Sequence, residues 1–181
     1  MLEKGTLLVS EPFLPDPNFE RSVVLLCEHN EDGSVGFVLN HPCHLFLHDI
    51  IEIDDTYQYE LYFGGPVQHE TLHYLHTIEE LADSSEHVCD NVYWGGNFKK
   101  LKKLIAAGKV PKDKIRFFVG YSGWQPGQLQ KETQWDTWIT TTANPQYIFT
   151  TNEDHLWQKV LKDMGGKFKM YSNYPIDPRL N

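Results

Sequence analysis

Apolar and polar positions in this chain fall into short runs rather than long periodic stretches, which predicts strands more often than helices. Residues 5–10 form a first strand, stopped by Pro12, Pro15 and Pro17, which lack the N–H that a ladder needs. Residues 22–29 are apolar almost throughout until Glu28, the pattern of a central strand buried on both faces. Asp32-Gly33 then gives a hairpin signal, because both central residues of a type I′ turn need positive φ. Residues 35–40 return as the partner strand. A two-residue loop at Asp32-Gly33 sets Glu28 opposite Phe37, His29 opposite Gly36 and Asn40 opposite Leu25, with space beside His29 over the missing Gly36 side chain.

Downstream, residues 45–51 suit a short helix followed by an acidic loop through Asp49, Glu52, Asp54 and Asp55. Residues 61–63 make a short strand running into Gly64-Gly65-Pro66, and residues 72–77 another. The acidic stretch 79–90 is expected to be a solvated loop. Residues 92–94 lead through Gly95-Gly96 into a helix over 97–107, with Asn97 as N-cap and Phe98, Leu101, Leu104 and Ile105 on one face. Residues 115–120 are a buried strand feeding a turn at Ser122-Gly123-Trp124, and Pro126 suits the first turn of a short helix. Residues 138–142 are β-prone. An amphipathic helix over 154–164 turns Leu156, Trp157, Val160, Leu161 and Met164 inward and stops at Gly165-Gly166. The mixed order predicts a single α+β domain over residues 1–167: a mostly antiparallel, barrel-like β-core flanked by helices, then an extended tail over 168–181.

Composition narrows the function classes. The 181 residues carry 25 acidic and 16 basic side chains, a net charge of −9. Such a surface repels a phosphate backbone unless its lysines are concentrated, so direct DNA binding is not expected. The one basic run, Lys99, Lys100, Lys102 and Lys103, sits on the expected amphipathic helix, where it solvates the outer face. Cys27, Cys43 and Cys89 show no C-x-x-C spacing, which fits a reducing, cytoplasmic setting and no structural zinc site. No signal-peptide pattern and no apolar run of membrane-spanning length is seen.

His69-Glu70-Thr71-Leu72-His73 fits the H-E-x-x-H spacing, but zinc proteolysis needs that spacing on a helix, and this segment alternates like a strand. No metal or cofactor is therefore expected. Gly120-Tyr121-Ser122-Gly123 has its second glycine one place too early for a nucleophile elbow. The polar residues at the ends of apolar strands remain: Arg21, Glu28, His29, Asn40 and His76, with Gln128 beyond them. Together with Gly65, Gly123 and Trp124 they form a candidate ligand groove. Glu28 and His29 could exchange protons and Arg21 could hold an anion; the competing reading is a network of caps and ion pairs.

Several separated motifs occur here in one order: Gly5-Thr6-Leu7-Leu8-Val9-Ser10 with Asp16-Pro17, Phe19-Glu20-Arg21-Ser22, Gly36-Phe37-Val38-Leu39-Asn40-His41-Pro42, Gly64-Gly65-Pro66-Val67, and Gly120-Tyr121-Ser122-Gly123-Trp124 with Gly127-Gln128-Leu129. In this the chain resembles the YqgE/AlgH family over roughly residues 5–165. Gln130 stands where an acid is common in that family. The resemblance implies a compact mixed β-core flanked by helices and brings no assigned chemistry, only a transcriptional-regulator label. The expectation is a binding or regulatory module for an unknown protein or small-molecule ligand; the alternative is an enzyme using Glu28 and His29.

Overall fold

The computed structural model describes residues 1–150, 152–177 and 179. Its strands are β1 (Thr6–Ser10), β2 (Val23–Asn30), β3 (Gly33–Val38), β4 (Pro42–Phe46), β5 (Glu60–Phe63), β6 (Val67–His76), β7 (Glu86–Cys89), β8 (Val92–Trp94), β9 (Ile115–Trp124) and β10 (Trp138–Thr142). The helices are α1 (Phe98–Ala106), α2 (Gln128–Gln134), α3 (Pro145–Ile148), α4 (Leu156–Met164) and α5 (Gly166–Tyr171). The strands pair in the order β10-β1-β2-β3-β9-β6-β8-β7, and the small β4–β5 pair joins β9 through β5. All pairings are antiparallel except β5 with β9. The sheet curls into a half-barrel with helices on its flanks, the α+β architecture expected from the sequence.

Alternation along the strands explains the two packed faces. Leu7, Val9, Leu25, Phe37 and Leu39 meet Leu156, Trp157, Val160 and Leu161 of α4 on one side. Leu8, Val24, Leu26 and Val38 meet Trp124, Leu129 and Trp138 on the other. β2 thus buries both faces, as its continuous apolar run requires. A third cluster joins Leu61, Tyr74 and Phe117 to Leu101 and Ile105 of α1, whose N-cap is Asn97, with Oδ1 accepting Lys100 N–H at 3.0 Å.

Five expectations need correction. The hairpin turns at Glu31-Asp32, and a β-bulge at Cys27 shifts its register, so Glu28 faces Val35, His29 faces Ser34 and Leu25 faces Phe37. Residues 45–51 are not a helix: β4 ends at Phe46 and only Leu47–Asp49 makes a 3₁₀ turn. Residues 79–90 are not a solvated loop, because Leu81 anchors a 3₁₀ turn over Glu79–Ser84 and Val88 buries β7. Gly120-Tyr121-Ser122-Gly123-Trp124 is not a turn but the second half of β9, paired with β3. The tail expected to be extended from residue 168 begins inside α5, which packs on α4 through Phe168.

Candidate functional site

The nine candidate residues do not share one surface. Arg21 and Asn40 lie at the open end of the β2–β3 hairpin. Asn40 Oδ1 accepts Val23 N–H (2.9 Å) and its Nδ2 donates to Arg21 O (2.8 Å), which holds Arg21 at φ 48°. The Arg21 guanidinium donates to Tyr174 O (2.6 Å) and lies 4.6 Å from the Trp157 ring centroid. Desolvation lowers its pKa, and its Nε has no partner among the described residues. Glu28 and His29 sit at the other end of β2, roughly 25 Å away at ~3.3 Å per residue.

Around that far end the sequence brings several candidates together. Gln130 Nε2 donates to His29 Nε2 (3.3 Å), which leaves the ring proton on Nδ1, donated to Ser34 Oγ (2.7 Å). Exposed Glu28 accepts from Asn30 Nδ2 (2.7 Å). Gly123 and Trp124 pair with Val35 and Ser34. Gln128 Oε1 accepts Gln125 N–H (3.0 Å), and its Nε2 donates to Glu132 Oε1 (2.8 Å).

Glu132 is the hub that sequence reasoning missed. Its Oε2 accepts both the Trp124 and Trp138 indole N–H groups, each at 2.9 Å, so one carboxylate from α2 ties β9 to β10. The signal was present in the i, i+4 spacing of Gln128 and Glu132 between two tryptophans.

Gly65 and His76 serve the interior. A Cβ on Gly65 would lie 2.3 Å from Ser122 Oγ and 2.4 Å from the Tyr121 backbone, and the residue has φ +153°. Gly64 O accepts from both Val38 N–H (2.9 Å) and Ser122 Oγ (2.9 Å), so the glycine pair lets backbone lie on backbone between β3 and β9. His76 is fully buried. Its Nδ1 accepts Ile78 N–H (3.1 Å) and its Nε2 donates to Gly95 O (2.8 Å), and burial holds its pKa below the ordinary value. The H-E-x-x-H segment lies in β6. His69 Nε2 reaches Gly65 O (2.8 Å), while half-buried His73 packs 5.2 Å from the Phe37 ring centroid.

A concavity lies elsewhere, along the free edge of β10. It has a volume of ≈ 490 Å³, and its lining includes Trp138, Ile139 and Thr140. Trp138 and Thr140 point to one face of the sheet and Ile139 to the other, so the cavity follows the strand edge itself. Ala143 N–H donates to Gly5 O and Glu11 N–H to Thr137 O, both at 3.1 Å. By the alternation of an antiparallel ladder, odd-numbered residues of β10 bond to β1, while Trp138, Thr140 and Thr142 aim their backbone groups outward. Thr133 and Asp136 wall the groove on the α2 side; Lys167, Phe168 and Tyr171 wall it on the α5 side. Phe13 and Tyr174, stacked at 5.6 Å, close one end. Trp135, at the C-terminal end of α2, is 74% exposed.

Fold and groove together define a class: an α+β half-barrel that leaves one sheet edge unpaired at the floor of an aromatic groove. Residues 7–169 match the family of AlgH-like domains known as DUF179. A UPF0301 protein from Cytophaga hutchinsonii is 47% identical over the whole of both chains, and one from Bacteroides fragilis is 41% identical over all of this chain and 92% of its own. Among solved structures, AlgH from Pseudomonas aeruginosa superposes with a TM-score of 0.74 at 28% identity, covering 95% of this chain and 94% of that one. Protein DIP2367 from Corynebacterium diphtheriae shares the fold with a TM-score of 0.79 at 21% identity, over 96% of this chain and 93% of its own. The chain belongs to the AlgH-like (UPF0301) family. No helix among the described residues is long and apolar enough to cross a membrane.

Proposed function

We propose that this protein is a binding module that takes an extended polypeptide segment by strand addition along β10. The observation that carries the reading is the outward-facing backbone of Trp138 and Thr140 at the floor of the aromatic groove, an edge that Thr142 continues beyond it. Main-chain hydrogen bonds to that edge supply affinity, and the walls from Phe13, Phe168 and Tyr171 select apolar side chains. Glu28 and His29, the groups an acid–base mechanism would use, are engaged with Asn30 and with Ser34 and Gln130 instead.

The test uses Thr140→Pro. The Thr140 N–H faces away from β1, so proline there removes an outward donor and leaves the β1 ladder intact. Peptides selected from a random library on the purified protein are expected to protect the Thr140 and Thr142 amides from hydrogen exchange. Thr140→Pro should abolish their binding without lowering the melting temperature. Selected peptides that bind Thr140→Pro as well as the parent protein, or a library that yields no binder, refute the proposal.

A further inference from the structure

A second cavity, sharing no lining residue with the β10 groove, opens where the parallel β5–β9 pair begins. It measures ≈ 210 Å³, below the ~300–1,000 Å³ usual for drug-sized ligands, so it fits a small molecule. Its chemistry comes from one unusual residue. Arg116 interrupts the apolar start of β9 and is only 6% exposed. Its guanidinium donates to Leu39 O (2.7 Å) and to Thr150 O and lies 4.1 Å from the Tyr62 ring centroid. The ion pairs among the described residues are His48–Asp49, Lys159–Asp163 and Arg179–Asp177, so no described carboxylate lies within 4 Å of this buried cation. Glu153 and Glu60 lie near enough to act on this charge but form no ion pair with it, so an anion in the cavity could pair with it directly.

The rest of the wall narrows the ligand. Exposed Lys112 adds a second positive charge, and Glu60 is the one acidic residue lining the cavity. Phe46, Phe117 and Phe149 supply apolar surface. A simple carboxylate would meet Arg116 and Lys112 favourably but face Glu60 as well. A molecule carrying an ammonium next to its carboxylate satisfies both signs at once and leaves its side chain for the phenylalanines. We propose that this cavity is a binding site for a free α-amino acid or a closely similar small zwitterion, with Arg116 and Lys112 holding the carboxylate and Glu60 the ammonium.

The experiment titrates the full chain calorimetrically with L-alanine, L-leucine and L-phenylalanine. Each is compared with its amide, which lacks the negative charge, and its deaminated acid, which lacks the positive one. At least one amino acid is expected to bind with a Kd below ~1 mM, and its two singly charged analogues at least ~10-fold more weakly. Lys112→Ala, on the exposed rim, should weaken the amino acid by roughly 3- to 10-fold at unchanged melting temperature. Glu60→Gln should bring the deaminated acid to within about 3-fold of the amino acid, because the opposing charge is gone. The inference is overturned if none of the three amino acids binds below that limit, if the analogues bind equally well, or if Glu60→Gln leaves the preference unchanged. Because peptide capture at β10 is read separately, failure here leaves the strand-addition reading standing.

Discussion

Replacing Glu132 by alanine should destabilise the protein by about 3–5 kcal/mol, given that a hydrogen bond to a charged group contributes about 1.5–3 kcal/mol. The carboxylate accepts two indole N–H groups at 2.9 Å, from Trp124 and Trp138, which are 6% and 3% exposed. Alanine leaves both donors without their acceptor in a packed site, while the exposed Gln128 contact adds little. Taking the two bonds as partly coupled puts the total at the lower part of their sum. At ~2–4 °C per kcal/mol for a chain of this size, the melting temperature falls by about 6–20 °C. Urea unfolding followed by tryptophan fluorescence measures it directly, and an unchanged m-value licenses the comparison. Glu132→Gln is the control: its carbonyl can still accept from both indoles, so it should cost only about 1–2 kcal/mol. An alanine variant less than about 1 kcal/mol below the parent, or a glutamine variant as damaged as alanine, would refute the hub.

Gly65→Ala should cost about 2 kcal/mol or more by overpacking, since its Cβ would lie 2.3 Å from Ser122 Oγ. Gly95→Ala, with φ +73° but no atom within 4 Å, should lose only about 1–2 kcal/mol, and equal losses in thermal melts would contradict the close-approach account. Burial lowers the pKa values of His41, His73 and His76 from their ordinary value. The unfolded chain therefore takes up protons first on acidification, so their contribution is complete above about pH 6.5 and is lost as pH falls towards the lower folded values. Urea midpoints should fall between pH 7.5 and 5.5, less so in His76→Gln; a midpoint that rises on acidification contradicts the sign.

Much of the fold was legible because its elements are locally consistent. β2 announces itself by continuous apolar residues, α1 by its cap and amphipathic face, and α4 by the glycine that ends it. The errors arose where pairing partners lie far away in sequence. The bulge at Cys27 moves the hairpin register although Asp32-Gly33 is locally the better turn, because the strands settle the register through packing. β7 hides in an acidic stretch because one inward residue, Val88, is enough once β8 is beside it. The site was less legible. Polar residues at strand ends were read as converging, but most of them complete local hydrogen bonds. The groove depends on which strand is left at the edge, which no single segment encodes. Arg116 carried the clearer sign: a lone charge inside an apolar run.

The pairing of Thr6–Ser10 with Trp138–Thr142 also has a consequence for biosynthesis. The first strand leaves the ribosome about 130 residues ahead of its edge partner, an interval of roughly 7–25 s at ~5–20 residues per second. During that wait β1 and β2 have neither α4 over one face nor Trp124 and Trp138 over the other, since all of these come later in the chain. The nascent amino-terminal hairpin is therefore a sticky, two-sided apolar ribbon that cannot fold on its own. It is the stretch on which a cell's holdase chaperones would act, and a chain truncated before Trp138 should be degraded or aggregate rather than accumulate as a smaller domain.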